Sequence, residues 1–295
     1  MRFAGPLLAR VPPTALRRRG KAADAILLAV ERATARWPRR YDCAETVYGF
    51  QMAGDTRDLI QRYVYIFGVW EPTISQWIID HLRPDDVVLD IGANVGYVSL
   101  LAASRVGPSG TVFAFEPVPP IIDKLTANVV ANNYRDRITI IPKIVSDSNG
   151  SAPIFLGAET NTGLSSTIGA ANRTPIGVVE KVRAADAVDA NLWSGIRLVK
   201  IDTEGDEFAA LLGLVPILEV MSLGSAVLVE ITPESLSERG VDATEPISML
   251  TGLGFEGFEI PNPYEAATYL RPAPMELRPL PTLPTKPFDA VFVRR

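Results

Sequence analysis

Five short runs, residues 87–91, 112–115, 138–141, 198–201 and 226–231, are rich in β-branched and other apolar side chains and alternate with stretches of helical character. Runs that are apolar throughout, rather than at every second position, are strands covered on both faces. Such strands separated by helices build a parallel sheet. The chain is thereby restricted to the α/β class. Two further runs, 255–260 and 288–293, add strands at the end of the sequence. They are joined by residues 261–287, whose eight prolines are expected to form neither helix nor central strand. Ahead of the first run, Ile74, Trp77, Ile78 and Leu82 recur at helical spacing and predict a helix ending near Pro84. Residues 1–84 read as a basic, mainly helical N-terminal extension or cap, and 85–295 as the sheet-bearing domain with a proline-rich insertion at 261–287. The interval 146–196 holds strand pieces at 153–156 and 178–182, and a Gly/Ser/Thr-rich stretch at 160–169 that reads as a functional loop.

With 295 residues, 47% of them apolar, the chain can bury a large core plus a smaller appendage, and no apolar run approaches the roughly 20 residues that span a bilayer. No integral membrane segment is expected. The one cysteine, Cys43, excludes an internal disulfide, and with the one histidine, His81, it cannot build a zinc centre of nitrogen and sulfur ligands. No metal is expected, and a reducing compartment, the cytoplasm, is the default. The net charge of −5 divides unevenly: residues 1–40 carry ten basic side chains against Asp24 and Glu31, +8, which leaves −13 for the rest. An Arg-rich start is a targeting segment, a patch for acidic lipid or nucleic acid, or the solvated face of a peripheral helix, and the last is the commonest origin of such a run.

The chemistry concentrates where the strands end. The first reads Val87-Val-Leu-Asp-Ile-Gly-Ala-Asn-Val-Gly-Tyr97, a strand closing on an acid, then a glycine turn, then a helix start. That is the architecture of nucleotide binding at the carboxyl edge of a parallel sheet. The glycines are spaced Gly-x-x-x-Gly, so the dinucleotide fingerprint Gly-x-Gly-x-x-Gly is absent. A carboxylate at Asp90 would repel a pyrophosphate and suits a ligand bearing an ammonium or sulfonium charge. Glu116 follows 26 residues later at the tip of the second strand, placed to accept both hydroxyls of an adenosine ribose. The alternative is that both acids are helix caps. The fourth strand runs into Lys200-Ile-Asp-Thr-Glu-Gly205, and strand alternation sets Lys200, Asp202 and Glu204 on one face if the strand extends that far. Carboxylates there orient an amino group or take a proton from a nucleophile, unless Lys200 is simply an ion-pair partner. Glu230, closing the fifth strand, belongs to the same region by topology.

In order along the chain, Val88-Leu-Asp-Ile-Gly-Ala-Asn-Val-Gly96, Phe115-Glu-Pro117, Asn128 and Asn133, Ser146-Asp147, Lys200-Ile-Asp-Thr-Glu-Gly205 and Val229-Glu-Ile231 resemble the FkbM-type family of class I S-adenosylmethionine-dependent methyltransferases. The resemblance covers about residues 70–231. It implies a Rossmann-like fold whose mostly parallel sheet has seven strands, the last antiparallel. It implies S-adenosyl-L-methionine as cofactor, with Asp90, Gly92, Asn94 and Gly96 shaping the methionine side, Glu116 and Pro117 at the ribose, and Asp147 or its neighbours beside the adenine. Asp202 and Glu204 would face the transferable methyl as catalytic residues. Trp70-Glu71-Pro72 resembles a family feature just ahead of the fold, so Trp70 and Glu71 join Glu230 as candidates for binding the acceptor. Members generally methylate hydroxyls of sugars, glycolipids or polyketide products, so a small or saccharide-bearing acceptor is expected and nucleic acid is not.

Other readings stay open beside it. A nicotinamide-linked oxidoreductase would use a similar sheet, and a non-catalytic module would use the basic first 40 residues for contacts. Asn262-Pro-Tyr264 resembles part of a nucleic-acid methyltransferase motif but follows the wrong strand, and reads as a turn. His81 reads as a helix-terminal residue on the edge away from the ligand, and Cys43 as inert.

Overall fold

Each apolar run becomes a strand that a helix covers on one or both faces, and the alternation of strand and helix lays successive strands side by side. The computed structural model describes residues 21–37, 40–156, 174–270, 275–281 and 284–295, and the 160–169 loop lies outside the described residues. The strands are β1 (Arg40–Glu45), β2 (Gln51–Asp55), β3 (Val87–Ile91), β4 (Thr111–Phe115), β5 (Ile138–Ile141), β6 (Ile144–Val145), β7 (Gly150–Leu156), β8 (Thr174–Val182), β9 (Ile196–Ile201), β10 (Ala226–Ile231), β11 (Phe255–Ile260), β12 (Arg278–Pro279) and β13 (Phe288–Arg294).

The main sheet has the order β12-β11-β13-β10-β9-β3-β4-β5. Strands β5, β4, β3, β9 and β10 are mutually parallel. The last strand, β13, runs antiparallel between β10 and β11, in register from Ala226↔Val293 to Ile231↔Phe288. Seven strands with an antiparallel last one are thus in place, and β12 adds a two-residue eighth at the edge. From β3 the chain first builds outward to β4 and β5, then returns to build β9 and β10 on the other side, which puts a topological switch point between β3 and β9.

Alternation sends Val88, Val112, Leu198 and Leu228 to one face, where Leu100 and Leu125 of the helices Tyr97–Val106 and Pro119–Ala131 meet them. Leu89, Val199, Val227 and Val229 pack on the opposite face against Leu211 and Leu214 of Glu207–Val220. Each fully buried aliphatic side chain of this kind contributes about 1.5–3 kcal/mol. The strand pieces of the 146–196 interval pair antiparallel as β7 and β8 in a separate three-stranded sheet that β6 joins.

One expectation needs correction. The proline-rich segment contains one turn of helix, Ala266–Leu270, because no proline falls between Pro263 and Pro272 and Tyr269 and Leu270 find buried positions. The extension also holds a hairpin that the sequence reading did not include. Between the helices Lys21–Arg36 and Leu59–Phe67 it folds the antiparallel hairpin β1–β2. The helix Asn side chains hold that hairpin: Asn128 Oδ1 accepts from the Ala53 amide at 2.9 Å, and Asn132 Oδ1 from the Gln51 amide at 2.8 Å. The buried Asn128 amide also donates to the Val95 carbonyl at 2.9 Å, so one side chain ties the hairpin to the glycine turn. Replacing Asn128 by Ala strands a buried donor and a buried acceptor and is expected to cost about 2 kcal/mol. A lower denaturant midpoint at unchanged slope is the predicted observation.

The helix Pro72–His81 forms where its periodicity placed it. His81 stacks on Trp77 at a centroid separation of 4.4 Å, and its Nε2 lies 3.3 Å from the carbonyl of Arg197, at the start of β9 rather than at its carboxyl tip. Burial pushes the imidazole down to about 4. Cys43 is exposed on β1. No described helix is long and apolar enough to cross a membrane.

Candidate functional site

At the carboxyl ends of β3, β4 and β9 lies a cavity of about 390 Å³, within the range of small-molecule sites. Its floor is the turn after β3. Gly92 adopts φ 80°, and a side chain there would meet the Asp202 carbonyl oxygen at 1.8 Å, so only glycine lets the tips of β3 and β9 approach this closely. Asn94 follows at φ 51°, a left-handed conformation that asparagine tolerates better than most residues. The loop is then held by an acid on the next strand: Glu116 Oε2 accepts the Asn94 amide at 2.9 Å and Oε1 the Val118 amide at 2.9 Å. Burial pushes the Glu116 carboxyl up to about 7, against the pull of these two amides.

Nine of the twelve residues singled out from the sequence line this cavity: Trp70, Glu71, Gly92, Asn94, Glu116, Pro117, Asp202, Glu204 and Glu230. The other three stand apart. Asp90 is 0% exposed beneath the floor, where Oδ2 accepts from Ser99 Oγ at 2.5 Å and Oδ1 lies 3.9 Å from Lys200 Nζ. Burial raises its carboxyl above the usual range while Lys200 opposes. Gly96 packs behind the turn, its open side toward Leu125. Asp147 belongs to a neighbouring hollow, where hydrogen bonds from Ser148 and Ser146 hold it below the usual range. The wall expected near it is built by Lys143, Ile144 and Val145, because the chain turns into β6 before Asp147 is reached.

The strand β9 stops at Ile201, so Lys200, Asp202 and Glu204 do not share a strand face. Lys200 nonetheless binds the site together. Its ammonium, 8% exposed by residue, donates to the Gly92 carbonyl at 3.3 Å and to Asp202 Oδ2 at 3.0 Å. Burial alone would lower its affinity for the proton, but Asp202, Asp90 and Glu71 more than offset this and hold it well above the ordinary lysine value. The ion-pair reading of Lys200 is therefore the observed one. Glu204 sits at φ 54° on a loop pinned by Glu207, whose Oε1 accepts from the Thr203 and Gly205 amides, both at 3.0 Å.

The mouth contains residues that the sequence reading passed over. Asn262 Nδ2 donates to Glu71 Oε1 at 3.0 Å and to Asp289 Oδ2 at 2.9 Å, and the Tyr264 hydroxyl donates to Glu71 Oε1 at 2.9 Å. The turn motif Asn262-Pro-Tyr264 is thus part of the site. Burial and the Asp202 charge push Glu71 up to about 7, and burial with Asp202, Glu207 and Glu71 pushes Glu230 up to about 8. Asp289 is raised well above its ordinary value by burial and by Glu71 and Glu230. Crowded carboxylates share protons because they cannot all ionise together.

A switch-point cavity in a sheet of this order, with acids at the tips of β3, β4 and β9 and an antiparallel last strand, defines a Rossmann-like methyltransferase of class I. The Methyltransferase FkbM domain matches residues 90–256, and the chain belongs to that family. It is an S-adenosylmethionine-dependent methyltransferase. The chain is 28% identical over 185 residues to the hexuronic acid methyltransferase AglP of Haloferax volcanii, a match covering 61% of this chain and 68% of AglP. It is 46% identical over 57 residues to the 31-O-demethyl-FK506 methyltransferase FkbM of Streptomyces tacrolimicus, covering 19% and 22%. Among solved structures, the FkbM methyltransferase of Methylobacillus flagellatus aligns over 92% of this chain and 60% of that one, with 11% identity and a TM-score of 0.43.

Proposed function

We propose that this enzyme methylates a hydroxyl group of a sugar or sugar-bearing acceptor. The observation that carries the reading is the composition of the cavity mouth, where the Trp70 ring stands beside the hydrogen-bond acceptors Glu71, Asp202 and Glu230. An apolar ring face flanked by carboxylate oxygens suits a polyhydroxylated ring, whose C–H face packs on the indole while its hydroxyls donate. The likeness to AglP supports a saccharide, and the acids lining the cavity can accept the hydrogen of one of its hydroxyls.

On this reading residues 85–295 hold the cofactor and residues 1–84 form the cap. The described residues fit the group well: the glycine cradle at Gly92 admits close backbone approach, and Glu116 keeps lone pairs free for two ribose hydroxyls. Gly92 and Asn94 would border the methionine side, Glu116 and Pro117 the ribose, and Ile121, Ile144 and Ile154 the adenine. Asp202 would receive the ammonium, with Asp90 acting from beneath through Lys200. When bound, the cofactor supplies an electrophilic methyl group on a sulfonium. The protein's part is to align the acceptor and exclude water, which together can supply about 7–11 kcal/mol of the barrier.

Two measurements test this. In calorimetry with S-adenosylhomocysteine, affinity should fall as the pH drops from 8 to 6, because a carboxylate that accepts ribose hydroxyls must first lose its proton, and Glu116 holds one up to about 7. The dependence approaches about tenfold per unit below that value and disappears in E116Q. With labelled S-adenosylmethionine and a panel of p-nitrophenyl hexosides and hexuronides, the label should enter a base-stable methyl ether of a hexoside. A base-labile ester, or no labelled sugar, refutes the reading.

A further inference from the structure

Glu71 is held in an unusual way. It precedes Pro72, which disfavours helical backbone at the preceding residue, and it adopts φ 45°, ψ 67°, a left-handed conformation costing an ordinary residue about 1–2 kcal/mol. It occupies the N-cap of the helix Pro72–His81, yet its side chain makes no capping hydrogen bond. The carboxylate lines the cavity instead. Contacts from the far end of the chain enforce this arrangement: the Glu71 amide donates to the Tyr269 hydroxyl at 3.2 Å, and Trp70 packs on the Tyr264 ring at 5.6 Å. Both side-chain hydrogen bonds, from Asn262 and Tyr264, fall on Oε1. Among the described residues none falls on Oε2. One oxygen is clamped and the other is left for something in the cavity.

Of the two acids that the sequence placed in the catalytic role, one is paired with a cation and the other rides on a loop held by its neighbours. Asp202 Oδ2 is bound to the Lys200 ammonium, and Glu204 sits on the loop that Glu207 pins. We propose, resting on the hydroxyl-methylating function above, that Glu71 is the general base of the reaction, taking the acceptor's proton on Oε2. The hydroxyl hydrogen passes to Oε2 as an oxygen lone pair forms the bond to the methyl carbon, and the electron pair of the broken carbon–sulfur bond stays on sulfur. The products are a methyl ether, S-adenosylhomocysteine and a protonated Glu71 carboxyl, which returns its proton to solvent.

The groups facing Glu71 are Lys200 from β9, Asp202 from the loop after it, Glu230 from β10, Asp289 from β13, Tyr264 and Tyr269 from the proline-rich segment, and Tyr97 from the helix after β3. Burial and then Asp202 raise the Glu71 carboxyl to about 7, against Lys200 and the two clamping donors. A base must be ionised to act, so turnover rises with pH through that value. Tyr264 is a positioning residue: its hydroxyl stabilises the ionised form, so Y264F should move the same rise to higher pH.

Two readouts test the assignment. In the S-adenosylhomocysteine complex of protein labelled with glutamate carbon-13 at Cδ, one of the carboxyl resonances that titrate between about pH 6 and 9 in the wild type should be missing in E71Q. With the p-nitrophenyl hexoside that the wild type methylates fastest, E71Q should lower kcat by about 10²–10⁴-fold. It should also lose the pH-dependent rise and keep its affinity for S-adenosylhomocysteine within twofold. Should E71Q prove unstable, Y264F carries the test through the displacement of its pH profile. An E71Q enzyme forming the methyl ether within threefold of wild-type rate, survival of every such resonance in E71Q, or an unmoved profile in Y264F overturns the role of Glu71 alone. A base-labile product or none overturns the hydroxyl-methylating reading itself, and Glu71's role with it.

Discussion

Lys200→Met should lower the stability of the folded chain by about 3–5 kcal/mol, the usual effect of removing one partner from a buried charge cluster. The substitution keeps most of the side-chain volume but leaves Asp90, at 0% exposure, with Ser99 as its one hydrogen-bonding partner among the described residues. For a chain of this size the melting temperature should fall by about 10 °C. The pH dependence separates lost charge from lost packing. Burial already raises the Asp90 carboxyl and Lys200 opposes it, so removing Lys200 raises it further. The folded variant then retains a proton that the unfolded chain releases, and its stability declines as pH rises. Adding Asp90→Asn should recover much of the loss and flatten the decline. A K200M protein melting within about 3 °C of wild type, with no pH trend, would show that the cluster is not the keystone of the sheet edge.

Gly92→Ala should weaken S-adenosylhomocysteine binding by at least about 100-fold, equivalent to about 2.7 kcal/mol. The added carbon would lie 1.8 Å from the backbone oxygen of Asp202, and neither atom can swing aside as the end of a side chain would. The backbone there, at φ 80°, also penalises any residue with a Cβ. The tips of β3 and β9 must separate, which displaces Asp202 and the Lys200 contact to the Gly92 carbonyl together. Gly96→Ala is the matched control. Its new carbon meets Leu125 Cδ1 at 2.4 Å, the end of a flexible chain behind the site, so stability should suffer more than affinity. Retention of affinity within fivefold by G92A in a calorimetric titration would contradict the close-approach argument.

Strands β3, β5, β10 and β11 run between the residues read from sequence, and in β3, β5 and β10 a mainly apolar or β-branched run ends at a turn that breaks it. The glycine turn and Glu116 were legible as cavity residues for the same reason, their placement following from local strand–turn–helix order. The β1–β2 hairpin was not. Ala44 and Met52 are its buried side chains, and its second strand is anchored by Asn128 and Asn132 from a distant helix. Strand β9 ends at Ile201 as read, so the condition for Lys200, Asp202 and Glu204 to share a face is not met, and Glu207 folds residues 203–205 into a loop. Asn262, Tyr264 and Asp289 were illegible as site residues because what they touch lies at the other end of the sequence. The short separation between Ile141 and Asp147 concealed a change of sheet, and Asp147 lines a neighbouring hollow.

The contacts that clamp Glu71 span 191, 193 and 198 residues. The floor of the cavity and the wall around Glu116, by contrast, come from the single continuous stretch between β3 and β6. One half of the site is therefore assembled from neighbours in sequence and the other by closing loops of 191 to 198 residues, which carry the larger closure entropy. On the proposed function the same division separates two tasks, so changes at Asn262, Tyr264 or Asp289 are expected to alter which acceptor is methylated more than the affinity for S-adenosylhomocysteine.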